Sequence, residues 1–230
     1  MSQPVPVPDL ALIPLFSTVS PEDLSRIRRS VKAVSHRKGE VIVEAGDTHR
    51  WFYYVLSGDV RLVVSSDTAE QKVISLVSAG QTFGEALLFT GRPYPVSAVA
   101  LSAVQLLAIP HGPVLELAQQ SPDFALRMAG GLARRLHQLV SDVESYALHT
   151  GTQRVLAYLE QLAAERHGRP LRYPALIQLP ADKGVIASRL SLKPETFSRV
   201  LRRLSQAGTI LVDGRRITLL APPEPGTGLL

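Results

Sequence analysis

The period of the apolar positions changes twice along this chain. Before residue 110, β-branched and aromatic residues come in short runs at 41–43, 51–56, 60–64, 73–77, 96–100 and 104–109. Glycine-bearing turns separate them: Lys38-Gly39-Glu40, Ala45-Gly46-Asp47, Ser57-Gly58-Asp59 and Ala79-Gly80-Gln81. Short strands at roughly 8–12-residue spacing with such turns predict an antiparallel sandwich or barrel. Ahead of them, Ser20-Pro21-Glu22-Asp23 has the form of a helix start: N-cap, proline at the first helical position, acids in the first turn. Leu24 and Ile27 fall on its buried side.

From Pro122 to Leu148 the period becomes helical. Apolar residues recur at 125, 129, 132, 136, 139, 143 and 146, in alternating steps of four and three. This is an a/d seam, on a helix of ~40 Å at ~1.5 Å per residue. It is open to two readings, a core helix packed on its own sheet or a helix paired with its copy. Arg134, Arg135, Gln138, Asp142 and Glu144 lie off the seam and favour pairing, through Leu132, Leu136, Leu139 and Val143.

The period then breaks into smaller pieces. Residues 152–166 read as a helix, and 169–179 as a loop or ribbon carrying Pro170 and Pro174. Residues 180–190 and 194–205 read as two short helices around Ser191-Leu192-Lys193, and 208–219 as a hairpin on Asp213-Gly214. Two short helices, a tight break and a hairpin predict a winged helix-turn-helix. The fold class is α+β. The expected divisions are a sensor domain at 1–120, a dimerisation helix and hinge at 121–150, a DNA-binding domain at 151–222 and a flexible tail at 223–230.

Charge sharpens this division. The 230-residue chain carries net +5, but residues 1–150 hold 13 Lys+Arg against 14 Asp+Glu, a net of −1. Residues 151–230 hold 12 against 6, a net of +6. A basic C-terminal third suits a polyanionic partner, although a basic patch also serves solubility. With no cysteine, disulfides, thiolate zinc sites, Cys-ligated iron–sulfur clusters and cysteine nucleophiles are excluded. No apolar run approaches the ~18–20 residues that span a bilayer, and the proline-rich start has no signal-peptide pattern. A cytoplasmic protein without membrane contact is expected.

The second short helix carries the most specific chemistry. Phe197, Val200, Leu201 and Leu204 share one face, while Glu195, Ser198, Arg199 and Arg202 share the other. A carboxylate accepts from the cytosine amino group, and an arginine is bidentate to guanine. Glu195, Ser198 and Arg199 are therefore the candidate base readers. Lys193, Arg202, Arg203, Arg215 and Arg216 are the candidate phosphate contacts. An ordinary amphipathic surface helix has the same pattern; the preceding helix and the following basic hairpin favour DNA.

The order of sandwich, long helix and winged helix-turn-helix resembles the CRP/FNR transcription regulators over roughly residues 10–220. Lys38-Gly39-Glu40, Gly46-Asp47, Val55-Leu56-Ser57-Gly58 and Phe83-Gly84-Glu85 stand where that family's cyclic-nucleotide-binding type of domain has them, which implies a jelly roll. Glu195-x-x-Ser198-Arg199 looks like the FNR-type reading motif and implies a homodimer on a palindrome resembling TTGAT-N4-ATCAA. Pro194 stands where CRP-type readers have an arginine. The resemblance also implies RNA polymerase as a partner and a small-molecule effector of unknown identity.

The implied effector pocket comprises Gly84, Glu85, Val96 and Ser97. Cyclic-nucleotide binders place an arginine before that serine to hold the phosphate; Val96 supplies no charge, and a buried unpaired anion is costly. Arg92 is a substitute only from its own turn. Cyclic AMP and cyclic GMP are therefore not the expected effectors. The run from Leu190 to Arg199 and Phe83-Gly84-Glu85-Ala86 are most similar to the haem-dependent, cysteine-free DNR-type branch. Haem is an alternative effector, with His36, His49, His111, His137, His149 and His167 as the available ligands and Arg189 where that branch can carry histidine.

Enzyme readings lack motifs: there is no P-loop, Gly-x-Ser-x-Gly or His-Glu-x-x-His, and the histidines lack cupin spacing. No catalytic residue and no metal ligand set is expected. The alternative to a DNA regulator is a cyclic-nucleotide-binding signalling module whose C-terminal domain binds protein.

Overall fold

The computed structural model describes residues 7, 9–65 and 71–221. The expected flexible tail at 223–230 lies outside the described residues. The chain divides into two compact units, 1–137 and 138–230, and the division falls inside one long helix.

The first unit begins with two 3₁₀ turns, Leu10–Leu12 and Pro14–Phe16, and helix α1 (Pro21–Arg28). The Ser20 hydroxyl caps α1 by accepting from the Asp23 amide, and Ile27 is buried. Eight strands follow: β1 (Lys32–His36), β2 (Val41–Val43), β3 (Trp51–Ser57), β4 (Asp59–Ser65), β5 (Gln71–Ser78), β6 (Thr82–Phe83), β7 (Ser97–Ala100) and β8 (Val104–Pro110). Helix α2 (Leu87–Thr90) lies between β6 and β7; α3 (His111–Gln120) and α4 (Pro122–Leu148) close the unit. The strands form two four-stranded antiparallel sheets, ordered β1-β8-β3-β6 and β2-β7-β4-β5, a jelly-roll sandwich.

The first sheet is buried on both faces. From β3 and β8, Tyr53, Val55, Leu106 and Ala108 enter the core between the sheets. The alternate residues Phe52, Leu107 and Ile109 enter a second core with Leu10, Phe16, Ile27, Val114, Leu117, Phe124 and Met128 from the helices and turns. Burial on both sides explains why residues 51–56 and 104–109 read as nearly unbroken apolar runs rather than alternating ones. Phe16 stacks on Phe124 with centroids 5.9 Å apart, and the start of α4 is thereby anchored in this second core.

The sequence patterns locate six of the eight strands and miss β1 and β6. Lys32–His36 is broken by polar residues, and Thr82–Phe83 is too short to have a period. Helices α2 and α3 were also not anticipated. In α3, Gly112 and Pro113 occupy the first turn, where a missing N–H costs nothing.

The second unit holds the last turns of α4, then α5 (Gly151–His167), β9 (Ala175–Gln178), α6 (Lys183–Arg189), α7 (Pro194–Gln206), β10 (Ile210–Asp213) and β11 (Arg216–Leu219). Thr150 and Gln153 form a reciprocal capping box at the start of α5. Its core joins Val155, Leu159, Ala163, Ile177, Ile186, Phe197, Leu201, Leu204, Ile210 and Ile217, all nearly or fully buried. The wing sheet has the order β10-β11-β9 and is antiparallel throughout. Helix α6 begins at Lys183 rather than near Pro180, because Asp182 is its N-cap. The hairpin turn centres on Gly214-Arg215, not on Asp213-Gly214: Asp213 already pairs with Arg216, and Gly214 takes a φ of +62°. A positive-φ glycine in the first central position matches the II′ class. Among the described residues, no helix is long and apolar enough to cross a membrane.

Candidate nucleic-acid interface and effector pocket

The break between α6 and α7 is set by Ser191, whose φ of +55° is the one positive value at a non-glycine residue among those described. That left-handed residue ends α6, and the Leu192 amide donates back to the Ala187 carbonyl at 2.9 Å. Pro194 starts α7 at its first helical position. Phe197, Val200, Leu201 and Leu204 are buried against the domain, so the opposite face is forced outward. Glu195, Ser198, Arg199 and Arg202 are exposed, and their side chains have no hydrogen-bond or ion-pair partner among the described residues. Lys193 and Arg203 are exposed as well.

The two wing arginines differ. Arg216 pairs with Asp213 across the turn at 2.7 Å, and both remain exposed. Arg215 is turned back: its Nε and Nη2 donate to the Leu179 carbonyl at 3.2 and 3.0 Å, and its Nη1 lies 3.8 Å from Asp182. Most of its donors thus tie the wing to the strand end after β9, while its side chain stays 45% exposed.

On α4, Phe124 and Met128 belong to the core of the first unit. Leu132 is half-buried, while Leu136, Leu139, Val140 and Val143 are exposed along one stripe of the helix. Of the expected period, Ala125, Leu132 and Tyr146 are not part of this exposed stripe. Tyr146 is half-buried, and its hydroxyl donates to the Arg189 carbonyl at 2.6 Å within the second unit.

In the first unit, Gly84 and Glu85 of the expected pocket follow β6, and Val96 and Ser97 lead into β7. Tyr94 meets both halves. A Cβ on Gly84 would stand 2.6 Å from the Tyr94 hydroxyl oxygen, and Gly84 has a φ of +86°, so only glycine fits. Tyr94 precedes Val96 by two residues and donates its hydroxyl to the Trp51 carbonyl. Burial, first of all, pushes its phenol far up, so it stays protonated. Val96 packs against the sandwich core, and the Ser97 hydroxyl accepts from the Ala45 amide at 3.0 Å.

Glu85 is more constrained than its sequence context shows. Its Oε1 lies 3.7 Å from Nη1 of Arg135 on α4, and its Oε2 is buried without a hydrogen-bond partner among the described residues. The same Arg135 nitrogen donates to the Thr82 carbonyl at 3.1 Å. Arg92 is exposed, just after the left-handed Gly91 that ends α2. The cation beside Glu85 is therefore Arg135, one of the residues off the expected seam. Its signal was present: 124, 128 and 135 share a helical face, and the first two are buried.

Each histidine has surroundings of its own. His36 faces Glu40 at 3.7 Å, His167 bonds the Leu176 carbonyl at 2.8 Å, and His137 and His149 are exposed. His111 is buried with its ring stacked on Phe52, and burial lowers its pKa. His49 lies against Tyr94, 5.0 Å between centroids. Among the described residues, no three His, Cys, Asp or Glu are grouped to hold a metal ion.

Residues 33–121 match the cyclic nucleotide-binding domain model, and residues 153–224 the Crp-like helix-turn-helix domain model. The chain is 28% identical to the cyclic AMP receptor protein of Thermus thermophilus, over 86% of this chain and 88% of that one. It is similar to the solved structure of DNR from Pseudomonas aeruginosa, with 33% identity, 92% of each chain covered and a TM-score of 0.50. FixK2 from Bradyrhizobium japonicum shares the fold, with a TM-score of 0.73, 82% of this chain and 92% of that one covered, and 23% identity. With a nucleotide-binding type of jelly roll, a long helix and a Crp-like helix-turn-helix in this order, the chain belongs to the CRP/FNR family of transcription regulators and is not an enzyme.

Proposed function

We propose that this protein acts in the cytoplasm as a homodimer that reads a palindromic DNA site resembling TTGAT-N4-ATCAA. The observation that carries this reading is the outward face of α7, where Glu195, Ser198 and Arg199 stand without a side-chain partner among the described residues, on a helix whose other face is buried. A helix of 13 residues is ~20 Å long and fits the major groove. Arg199 donates to a guanine, Glu195 accepts from a cytosine amino group, and Ser198 does either. Lys193, Arg202, Arg203 and Arg216 hold phosphates, which position the protein without specifying sequence. The stripe at Leu132, Leu136, Leu139 and Val143 pairs α4 with its copy, because only a dimer reaches two half-sites ~34 Å apart.

The jelly roll responds to a small-molecule effector other than cyclic AMP or cyclic GMP. Val96 is apolar, and the nearby Arg135 already faces Glu85. A buried phosphodiester is left without a cation of its own. RNA polymerase is the partner at the promoter.

The test is selection of binding sites from random duplex DNA, followed by gel shift across a salt series. The expected result is a two-fold symmetric site with a G·C pair in each half and a steep loss of affinity with salt. Recovery of sites without symmetry or without a G·C preference overturns the reading.

A further inference from the structure

We infer that a partly buried polar network on Asp142, Tyr146 and Arg189 locks the helix-turn-helix to the last turns of α4 and so fixes the half-site spacing that the protein accepts. The inference rests on the DNA-binding reading above, and it concerns residues which that reading does not use.

The network starts from a local deficit. Helix α6 has seven residues and ends at the left-handed Ser191: the carbonyls of Ile186, Ala187 and Ser188 accept from the amides of Leu190, Ser191 and Leu192, and that of Arg189, the last of the helix, accepts from none of them. Three successive carbonyls, of Arg189, Leu190 and Ser191, are met from outside α6. The Tyr146 hydroxyl donates to the Arg189 carbonyl at 2.6 Å. Arg154, on α5, donates through Nη1 to the Leu190 carbonyl at 3.0 Å and the Ser191 carbonyl at 3.4 Å. Its guanidinium also lies 5.9 Å from the centre of the Tyr146 ring.

The Arg189 side chain then returns to α4. Its Nη2 donates to Asp142 Oδ2 at 2.6 Å, and its Nη1 donates to the Tyr146 hydroxyl at 2.8 Å. The other Asp142 oxygen accepts from Gln138 Nε2 at 3.2 Å, and Gln161 Nε2 of α5 donates to Gln138 Oε1 at 3.5 Å. The Asp142 and Arg189 side chains are only 16% and 12% exposed, so the pair is shielded from salt in a way the wing pairs are not. Tyr146 keeps its proton, because burial raises its phenol more than the Arg189 charge lowers it.

Asp142 directly precedes Val143 of the exposed stripe. The residues that hold the helix-turn-helix and those that face outward for pairing therefore alternate on the same two turns of α4. With the lock intact, α7 cannot swing separately from those turns. Changing the spacer by one base pair rotates a half-site by roughly 35° and shifts it ~3.4 Å. A locked domain meets that change only by deforming DNA, whereas a loosened one follows it.

The test uses the full chain on palindromes with spacers of two to six base pairs. Asp142→Asn removes the charge at constant size, Tyr146→Phe removes the hydroxyl, and Asp142→Glu restores the charge. The wild type should lose roughly tenfold in affinity per base pair away from its optimum, a penalty comparable to a mismatched base pair. In Asp142→Asn and Tyr146→Phe the profile should flatten to within about threefold, with half-site sequence preference and dimer unchanged, and Asp142→Glu should restore it in part. A merely structural role would weaken every spacer equally. Variants that keep the wild-type profile, or a wild type indifferent to spacing, overturn the lock while leaving the DNA reading in place. A wild type that binds no palindrome at any spacing overturns both.

Discussion

Leu136→Asp tests the pairing of α4 most directly. Leu136 is 62% exposed in the isolated chain. Full burial of a leucine contributes ~1.5–3 kcal/mol, so covering that fraction contributes about 1–2 kcal/mol. Two-fold symmetry brings two copies to one interface, and removing both costs about 2–4 kcal/mol, or roughly 30- to 700-fold in the dimer dissociation constant. Aspartate adds more, because two carboxylates are then driven into an apolar seam opposite each other. Leu126→Asp is the matched control: it is 69% exposed on the same helix, ten residues earlier and about 80° round from Leu136. Sedimentation at micromolar concentration should give dimer for the wild type and Leu126→Asp, and monomer for Leu136→Asp. The monomer should lose specific DNA binding while its melting transition persists. A wild-type monomer, or a Leu136→Asp dimer of wild-type stability, refutes the seam.

Arg199→Ala should cost ~1–3 kcal/mol per half-site on the selected operator and little on random DNA, measured by titration with both duplexes. Arg216→Ala should weaken both duplexes alike and lower the salt slope by about one per contact. Arg215→Ala should instead lower the melting temperature of the protein, because its guanidinium holds the Leu179 carbonyl. Calorimetry with cyclic AMP and cyclic GMP should show no sub-micromolar binding; tight binding of either would make Arg135 the phosphate partner.

Where an element has a period of its own, it was legible in the sequence. The recognition helix and the break before it rest on the spacing of Phe197, Val200, Leu201 and Leu204 and on Pro194, and the structure puts the helix at Pro194–Gln206. The long helix was legible in the same way, at Pro122–Leu148. Strands β1 and β6 were not, since one is mixed in polarity and the other has two residues. Candidate readers could be named because exposure on a helix follows from burial of the opposite face. The partners of Glu85 and Arg189 could not be named in that way.

The sequence by itself determined the order of modules, the faces of the helices, the absence of thiol chemistry and the charge contrast between the two parts of the chain. These depend on composition and on neighbours within about one turn or one strand. Only the tertiary structure decided that Tyr94 stands over Gly84, that Arg135 faces Glu85, that Arg215 turns back to Leu179, and that Tyr146 leaves the seam for Arg189. The bonds of Tyr94 to Trp51 and of Tyr146 to Arg189 each span 43 residues, and Arg189 to Asp142 spans 47. No local period encodes such pairs. They arise when packing shuts polar groups away from water and leaves them to satisfy one another.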